Sequence, residues 1–159
     1  MSSVDPIPAH LHTVTPRLVV RDAAAAIEFY AAAFGAVERP GRFTAASGEI
    51  VHTEVTIGDS VVMLTDEGAD ADAPARSPMS VGGTVSAIMA TYWSDVDAVW
   101  ERAIRAGAEI VYPLADQFYG DRGGRLRDPF GHQWMLGQHL EEVSPEEVDR
   151  RAEALFGSD

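Results

Sequence analysis

The chain has 159 residues, with 25 Asp and Glu against 12 Lys and Arg, for a formal net charge of −13. That balance argues against nucleic acid and anionic membranes as partners, because a polyanion is held through clustered basic side chains. The absence of cysteine removes disulfides, thiolate zinc sites and cysteine nucleophiles, so any metal would need His, Asp or Glu ligands, and five histidines are present. The opening MSSVDPIPAHLH lacks the basic-then-apolar build of a secretory signal, and no run of about 18 apolar residues could span a bilayer, so the expected location is the cytosol.

Residues 17–21, Arg-Leu-Val-Val-Arg, read as a short strand, and Asp22 stands ready to cap a following helix. The run DAAAAIEFYAAAF to Phe34 has high helix propensity, with Ile27, Tyr30 and Phe34 spaced as one apolar stripe and Gly35 as the stop. Strands are expected at 36–44, 50–57 and 60–65, the last two joined by a tight turn at Gly58-Asp59. In IVHTEVTI, His52 and Glu54 lie two apart and share a face opposite Val51, Val55 and Ile57.

The stretch 66–83 is rich in Asp, Ala, Pro and Gly without apolar periodicity and reads as a linker. The pattern then restarts: a strand at about 85–93, an Asp95-capped helix ending at Gly107, and strands near 108–112, 124–127 and 133–138. Placing Asp22 on Asp95 brings Ile27 onto Trp100 and Glu28 onto Glu101, and Val-Val-Met-Leu at 61–64 matches Gln-Trp-Met-Leu at 133–136. Two β-α-β-β-β modules related by duplication explain this order. Ser144-Pro145-Glu146-Glu147 has a capping residue, a first-turn proline and first-turn acids, so a terminal helix should follow. The expected class is α+β, in one domain: module one at about 14–66, linker 67–83, module two 84–139 and a C-terminal helix at 144–156.

Two segments carry a resemblance. RDAAAAIEFYAAAFGA resembles the first-module signature of the glyoxalase/bleomycin-resistance/dioxygenase (vicinal oxygen chelate) superfamily. The run YGDRGGRLRDPFGHQWML, followed by QHLEEVSPEEV, is similar to its PhnB-like branch, and the likeness covers roughly residues 14–148. It implies a cup-shaped mixed sheet with helices outside, a small-molecule cavity inside and a homodimer. In the metal-dependent members, the first and last strand of each module supply one ligand apiece, usually two His and two Glu. On that pattern the four positions fall here on Thr15, Met63, Ile88 and Met135, none of them a ligand for a hard divalent cation. The resemblance therefore implies no cofactor of the standard kind and an apolar binding surface that includes Met63, Met135 and Ile88.

Polar candidates stand beside it. His52 and Glu54 form either a catalytic or metal-holding pair facing the cavity or a solvent-facing pair on an amphipathic strand. Phe118, Tyr119 and Arg122, in a run read as a glycine-loosened loop, are expected to contact a planar ligand, with Tyr92 nearby, whereas Asp121 is expected to brace the loop. His132 is read as a turn stabiliser, His10 and His12 as adventitious, and Trp93, Trp100 and Trp134 as core. The leading function is metal-free binding or sequestration of a drug or metabolite. The alternatives are an isomerase, lyase or dioxygenase-like enzyme acting on a small oxo or aromatic metabolite, metal-free or with relocated ligands.

Overall fold

A computed structural model describes residues 5–70 and 74–157. It divides into two compact units, one running to Val85 and taking in Phe130–His132, the other made of Ser86–Pro129 and the chain from Gln133 on. No helix among the described residues is long and apolar enough to cross a membrane.

The first unit contains β1 (Arg17–Val20), α1 (Ala23–Phe34), β2 (Val37–Glu38), β3 (Phe43–Thr44), β4 (Ile50–Ile57) and β5 (Ser60–Asp66). Its sheet runs β1-β5-β4-β2, with β3 also on β4, and β1 is parallel to β5 while the other pairs are antiparallel. Asp22 caps α1 by accepting from the Ala25 amide at 2.9 Å, and Gly35 ends it in the left-handed region at φ 67°. Asp66, at the end of β5, accepts from the Ala23 amide at 2.6 Å and the Ile50 amide at 2.7 Å, so one carboxylate ties the first turn of α1 to the start of β4.

Two expectations change in detail. The strand expected at 36–44 is broken into β2 and β3, because Pro40 lacks an amide proton and Gly41 turns the chain at φ 110°. The stripe of α1 is also different: Ala23, Ala26, Phe29, Tyr30, Ala33 and Phe34 are buried, while Ile27 is only half-buried. Small alanines let the helix lie close to β1, β4 and β5, and the rings of Phe29 and Tyr30 are left to pack with each other and with Phe130. His132 joins the same unit through Nε2, 2.9 Å from the Val19 carbonyl.

The second unit repeats the order with β6 (Ile88–Tyr92), α2 (Val96–Ala106), β7 (Glu109–Asp116), β8 (Asp121–Arg127) and β9 (Gln133–His139), followed by α3 (Pro145–Phe156). The sheet runs β6-β9-β8-β7 with β6 parallel to β9. Asp95 caps α2 on the Ala98 amide at 3.0 Å, and Gly107 closes it at φ 113°. On the side facing α2 lie Leu126, Trp134 and Leu136, all buried, and Trp134 donates to the buried Asp128 carboxylate at 2.9 Å. Gly124 lies under Trp100: a Cβ there would meet the indole at 2.7 Å. Trp100 and Trp93 are half-buried, and Trp134 alone of the three tryptophans is fully enclosed.

The largest departure from expectation is β8. It starts at Asp121 and not at 124, so most of the glycine-arginine run is strand, and only the Gln117–Gly120 turn remains outside the ladder. The third helix forms as expected, with Ser144 Oγ accepting from the Glu147 amide at 3.3 Å. It is fastened by the Phe118–Phe156 ring contact at 5.7 Å and by Arg151, which holds Glu141, Glu147 and the Phe118 carbonyl.

Candidate functional site

Each sheet has one face packed on its helix and one face free of it, and strand register assigns side chains to the helix-free face. In the first unit, Thr53, Val55 and Ile57 are buried while His52, Glu54 and Thr56 alternate to the other side. Arg17, Met63 and Glu54 sit side by side on β1, β5 and β4. Around the Glu54 carboxylate gather His10 Nε2 at 3.1 Å, Arg39 Nε at 3.3 Å and His52 Nε2 at 3.4 Å. Glu54 is mostly enclosed and its three partners are about one-third exposed, so the cluster is reachable from solvent.

On the second sheet the helix-free face is built in rows. Ile88, Gln133, Arg127 and Glu109 form one row, and Ala90, Met135, Arg125 and Tyr112 the next. A third row holds Tyr92, Gly137, Gly123 and Ala115, with His139 and Asp121 beyond it. The Arg125 guanidinium lies 5.1 Å from the Tyr112 ring centroid. Tyr92 lies against Gly137, where an added Cβ would come 3.2 Å from its ring, and donates its hydroxyl to Asp121 at 3.0 Å. The other Asp121 oxygen is 2.8 Å from His139 Nδ1, and His139 Nε2 is 3.2 Å from Glu142. These contacts shift both ends of the chain. The hydrogen bond to Asp121 holds the Tyr92 hydroxyl above its ordinary pKa, and Asp121 followed by Glu142 raises the His139 imidazolium.

Of the residues singled out from sequence, Met135, Ile88 and Tyr92 fall on this second face, and Met63, His52 and Glu54 share the first. Thr15 lies just before β1, its hydroxyl donating to the His12 carbonyl at 3.2 Å. Phe118 and Tyr119 pack edge to face at 5.2 Å in the β7–β8 turn, with Phe118 also on Phe156, and burial raises the Tyr119 pKa. Arg122 is paired with Gln138 in the ladder, an odd number of residues from Arg125, so it emerges on the helix side. There its guanidinium grips Asp97 of α2 at 2.8 and 2.9 Å and Asp116 at 2.9 Å. Asp121 does brace its surroundings, as a double acceptor. Arg39 and His139 carry no signal in the sequence, Arg125 and Arg127 read there only as part of one basic cluster with Arg122, and His10 reads as adventitious. The alternation Arg125-Leu126-Arg127 was the available signal, since spacing of two puts both cations on one face once the segment is known to be strand.

A divalent metal is the group that metal-dependent vicinal oxygen chelate proteins hold, and the donors here do not fit it. At the positions implied by the resemblance stand a hydroxyl, two thioethers and an aliphatic chain, none of them a hard anionic or imidazole ligand. Among the described residues no group of three or more His, Asp or Glu is arranged to hold an ion. His10, His52 and Glu54 come nearest, but the Arg39 cation at 3.3 Å from the same carboxylate opposes a second positive charge there.

Comparison with known proteins agrees with this architecture. Residues 10–136 match the family model of the Glyoxalase/Bleomycin resistance protein/Dioxygenase superfamily. The chain is 45% identical over 136 residues to the uncharacterized protein Mb0911c of Mycobacterium bovis, covering 85% of this chain and 88% of that one. Its fold is similar to that of TioX from Micromonospora sp. ML1, with a TM-score of 0.64 and 29% identity over 81% of this chain and 99% of the other. It is also similar to the fosfomycin resistance protein FosX from Mesorhizobium loti, with a TM-score of 0.56, 18% identity and coverage of 86% and 95%, a likeness of fold alone. The duplicated module order, the parallel pairing of first and last strand in each sheet and the family match over four-fifths of the sequence agree, and the chain belongs to the glyoxalase/bleomycin-resistance/dioxygenase superfamily.

Proposed function

We propose that this protein binds a small organic molecule on a helix-free sheet face, without the divalent metal used by the metal-dependent members, and acts by sequestering or carrying that molecule. The observation that carries the reading is the pair Met63 and Met135. Both lie mid-face on the last strand of their module, next to the parallel first strand, at the positions to which the resemblance assigns a ligand in the metal-dependent members. Both are half-buried, so a flexible polarizable side chain is presented at each place. Ile88 and Tyr92 remain well exposed beside Met135, and an exposed apolar strip of this kind favours a ligand held by area burial.

A second reading has one observation in its favour. The His10–Glu54–His52 cluster sets two imidazoles against one carboxylate, an arrangement suited to moving a proton to or from an oxo or enol-like metabolite. The two readings separate experimentally. Elemental analysis of untagged protein should find no stoichiometric divalent metal, and a thermal-shift screen against metals, aromatic antibiotics and oxo-metabolites should raise the melting temperature with organic compounds and not with metals. A full equivalent of bound metal would overturn the proposal. With a hit in hand, His52→Ala and Glu54→Gln should leave its affinity largely intact. Loss of turnover with binding retained would make the protein an enzyme.

A further inference from the structure

The chain has far more acids than bases, so an arginine without a carboxylate partner is unexpected in it. Arg39, Arg42, Arg76, Arg105, Arg122, Arg127, Arg150 and Arg151 each reach a carboxylate, and Arg17 and Arg21 donate to backbone or hydroxyl oxygens. Among the described residues Arg102, on α2, and Arg125 do neither, and of the two only Arg125 has an enclosed Nε. Its contact is the Tyr112 ring face, and its Nε is shut off from solvent without a hydrogen-bond partner among the described residues. The Nε of Arg127, two residues along the same strand, is in the same condition, and its one carboxylate, Glu109, stands 3.6 Å away, beyond hydrogen-bonding distance.

A buried donor left unpaired is destabilising, and two of them on adjacent rows of one face need a physical reason. Burial in a core is excluded, because this is the face away from α2, and Ile88 and Tyr92 on it are 39% and 61% exposed. The Nη atoms of Arg125 are not enclosed in this way and have no partner among the described residues, so they are the donors that a molecule on this face could reach. Ala90 and Met135 make an apolar floor in the row of Arg125, and in the next row the Tyr92 ring lies against Gly137 and bounds that floor. Tyr92 and Tyr112 stand on the two edge strands of the sheet, β6 and β7, each able to offer a ring face or edge.

We propose that the helix-free face of the second sheet binds a planar aromatic carboxylate, with Arg125 as the anion anchor, Arg127 as its neighbour, and the aromatic body laid over Ala90 and Met135 beside the Tyr92 ring. The inference rests on the small-molecule reading above and names the chemical class of its ligand. A guanidinium matches a carboxylate bidentately, and its stacking on Tyr112 holds it ready for that contact. The net charge of −13 acts against an anion at long range, but at physiological ionic strength it is screened within about 8 Å, so the local arginines decide.

The test uses the full chain and three compounds: 2-naphthoate, its neutral isostere 2-naphthamide, and acetate, each titrated by calorimetry. The wild type should bind the naphthoate at least about 10-fold more tightly than the amide, and acetate far more weakly than either. Arg125→Met should cost the naphthoate about 10- to 100-fold while shifting the amide by less than about 2-fold. Its melting temperature without ligand should be no lower than that of wild type, since the unpaired donor is gone and the stem is replaced, whereas a purely structural arginine would leave a less stable protein. Arg125→Lys, which keeps the charge and loses the planar fork, should fall between the two and serves if the methionine variant does not fold. Arg105→Met, altering an exposed arginine paired with Glu101 on α2, should leave all affinities unchanged. Equal binding of acid and amide, or an acid preference that survives Arg125→Met, would overturn the carboxylate assignment and leave the small-molecule reading standing. Failure of both aromatic probes to bind at roughly 5 mM would overturn the assignment and count against that reading as well.

Discussion

Substituting Gly124 by alanine adds one methyl group at the point where α2 presses on the second sheet. An ideal Cβ at this position would lie 2.7 and 2.8 Å from Cζ3 and Cη2 of Trp100 and 2.8 Å from the backbone nitrogen of Leu114. Real Cβ contacts are not this short, so something must move. The indole is half-buried on α2, and Leu114 N lies in the bulge of β7 between the Tyr112–Arg125 and Ala115–Gly123 pairs, which flank it and limit how far it can retreat. Inserting a methylene into a packed site of this kind costs about 1–3 kcal/mol. At 2–4 °C per kcal/mol for a domain of this size, the melting temperature should fall by about 2–12 °C. Urea unfolding followed by tryptophan fluorescence and far-UV circular dichroism should show a lower midpoint at unchanged slope. The double variant Gly124→Ala, Trp100→Leu should regain part of the loss relative to Trp100→Leu alone, because the indole clash is removed while the backbone clash stays. A Gly124→Ala protein as stable as wild type would refute the packing argument, and full recovery in the double variant would refute the role given to Leu114.

Two further predictions concern the carboxylates that organise each sheet. Asp66→Ala removes the acceptor of both the Ala23 and Ile50 amides and should destabilise the protein by about 2–4 kcal/mol in urea titrations, with Asp66→Asn, which keeps one acceptor oxygen, losing roughly half as much. His139 should titrate above the ordinary histidine value in an NMR pH series, because Asp121 and then Glu142 favour the imidazolium, and Asp121→Asn should lower that midpoint. The sign follows from the raised value: the stabilising contribution of the pair is complete below the unfolded histidine pKa and is lost as pH rises through the folded one. An unchanged midpoint in Asp121→Asn would remove Asp121 as the cause.

Much of the fold was legible because it is locally encoded. Asp22 and Asp95 cap helices, Gly35 and Gly107 end them, Ser144 and Pro145 open α3, and Gly58-Asp59 closes the β4–β5 hairpin; each depends on residues within a few positions of one another. The alternation in IVHTEVTI likewise placed His52 and Glu54 on one face of β4. The duplicated order of the two modules followed from repeating these local signals.

Local signals did not reach across strands or between distant segments. Arg122, Arg125 and Arg127 look alike in GDRGGRLRD, yet Arg122 grips Asp97 on the helix side while Arg125 and Arg127 stand on the open face with Nε atoms that meet no acceptor among the described residues. That division depends on residues 121–127 being strand, which the paired glycines disguise, and on a register in which Arg122 meets Gln138 and Arg125 meets Met135. His10 finds Glu54 across 44 residues, and the Phe130–His132 segment joins the first unit through Phe29, Tyr30 and the Val19 carbonyl. Composition, caps and periodicity thus determined the elements and the two-module order. Tertiary pairing alone decided which polar groups share a face and which donors stay unsatisfied, because a one-residue change of register moves a strand side chain to the opposite side of its sheet.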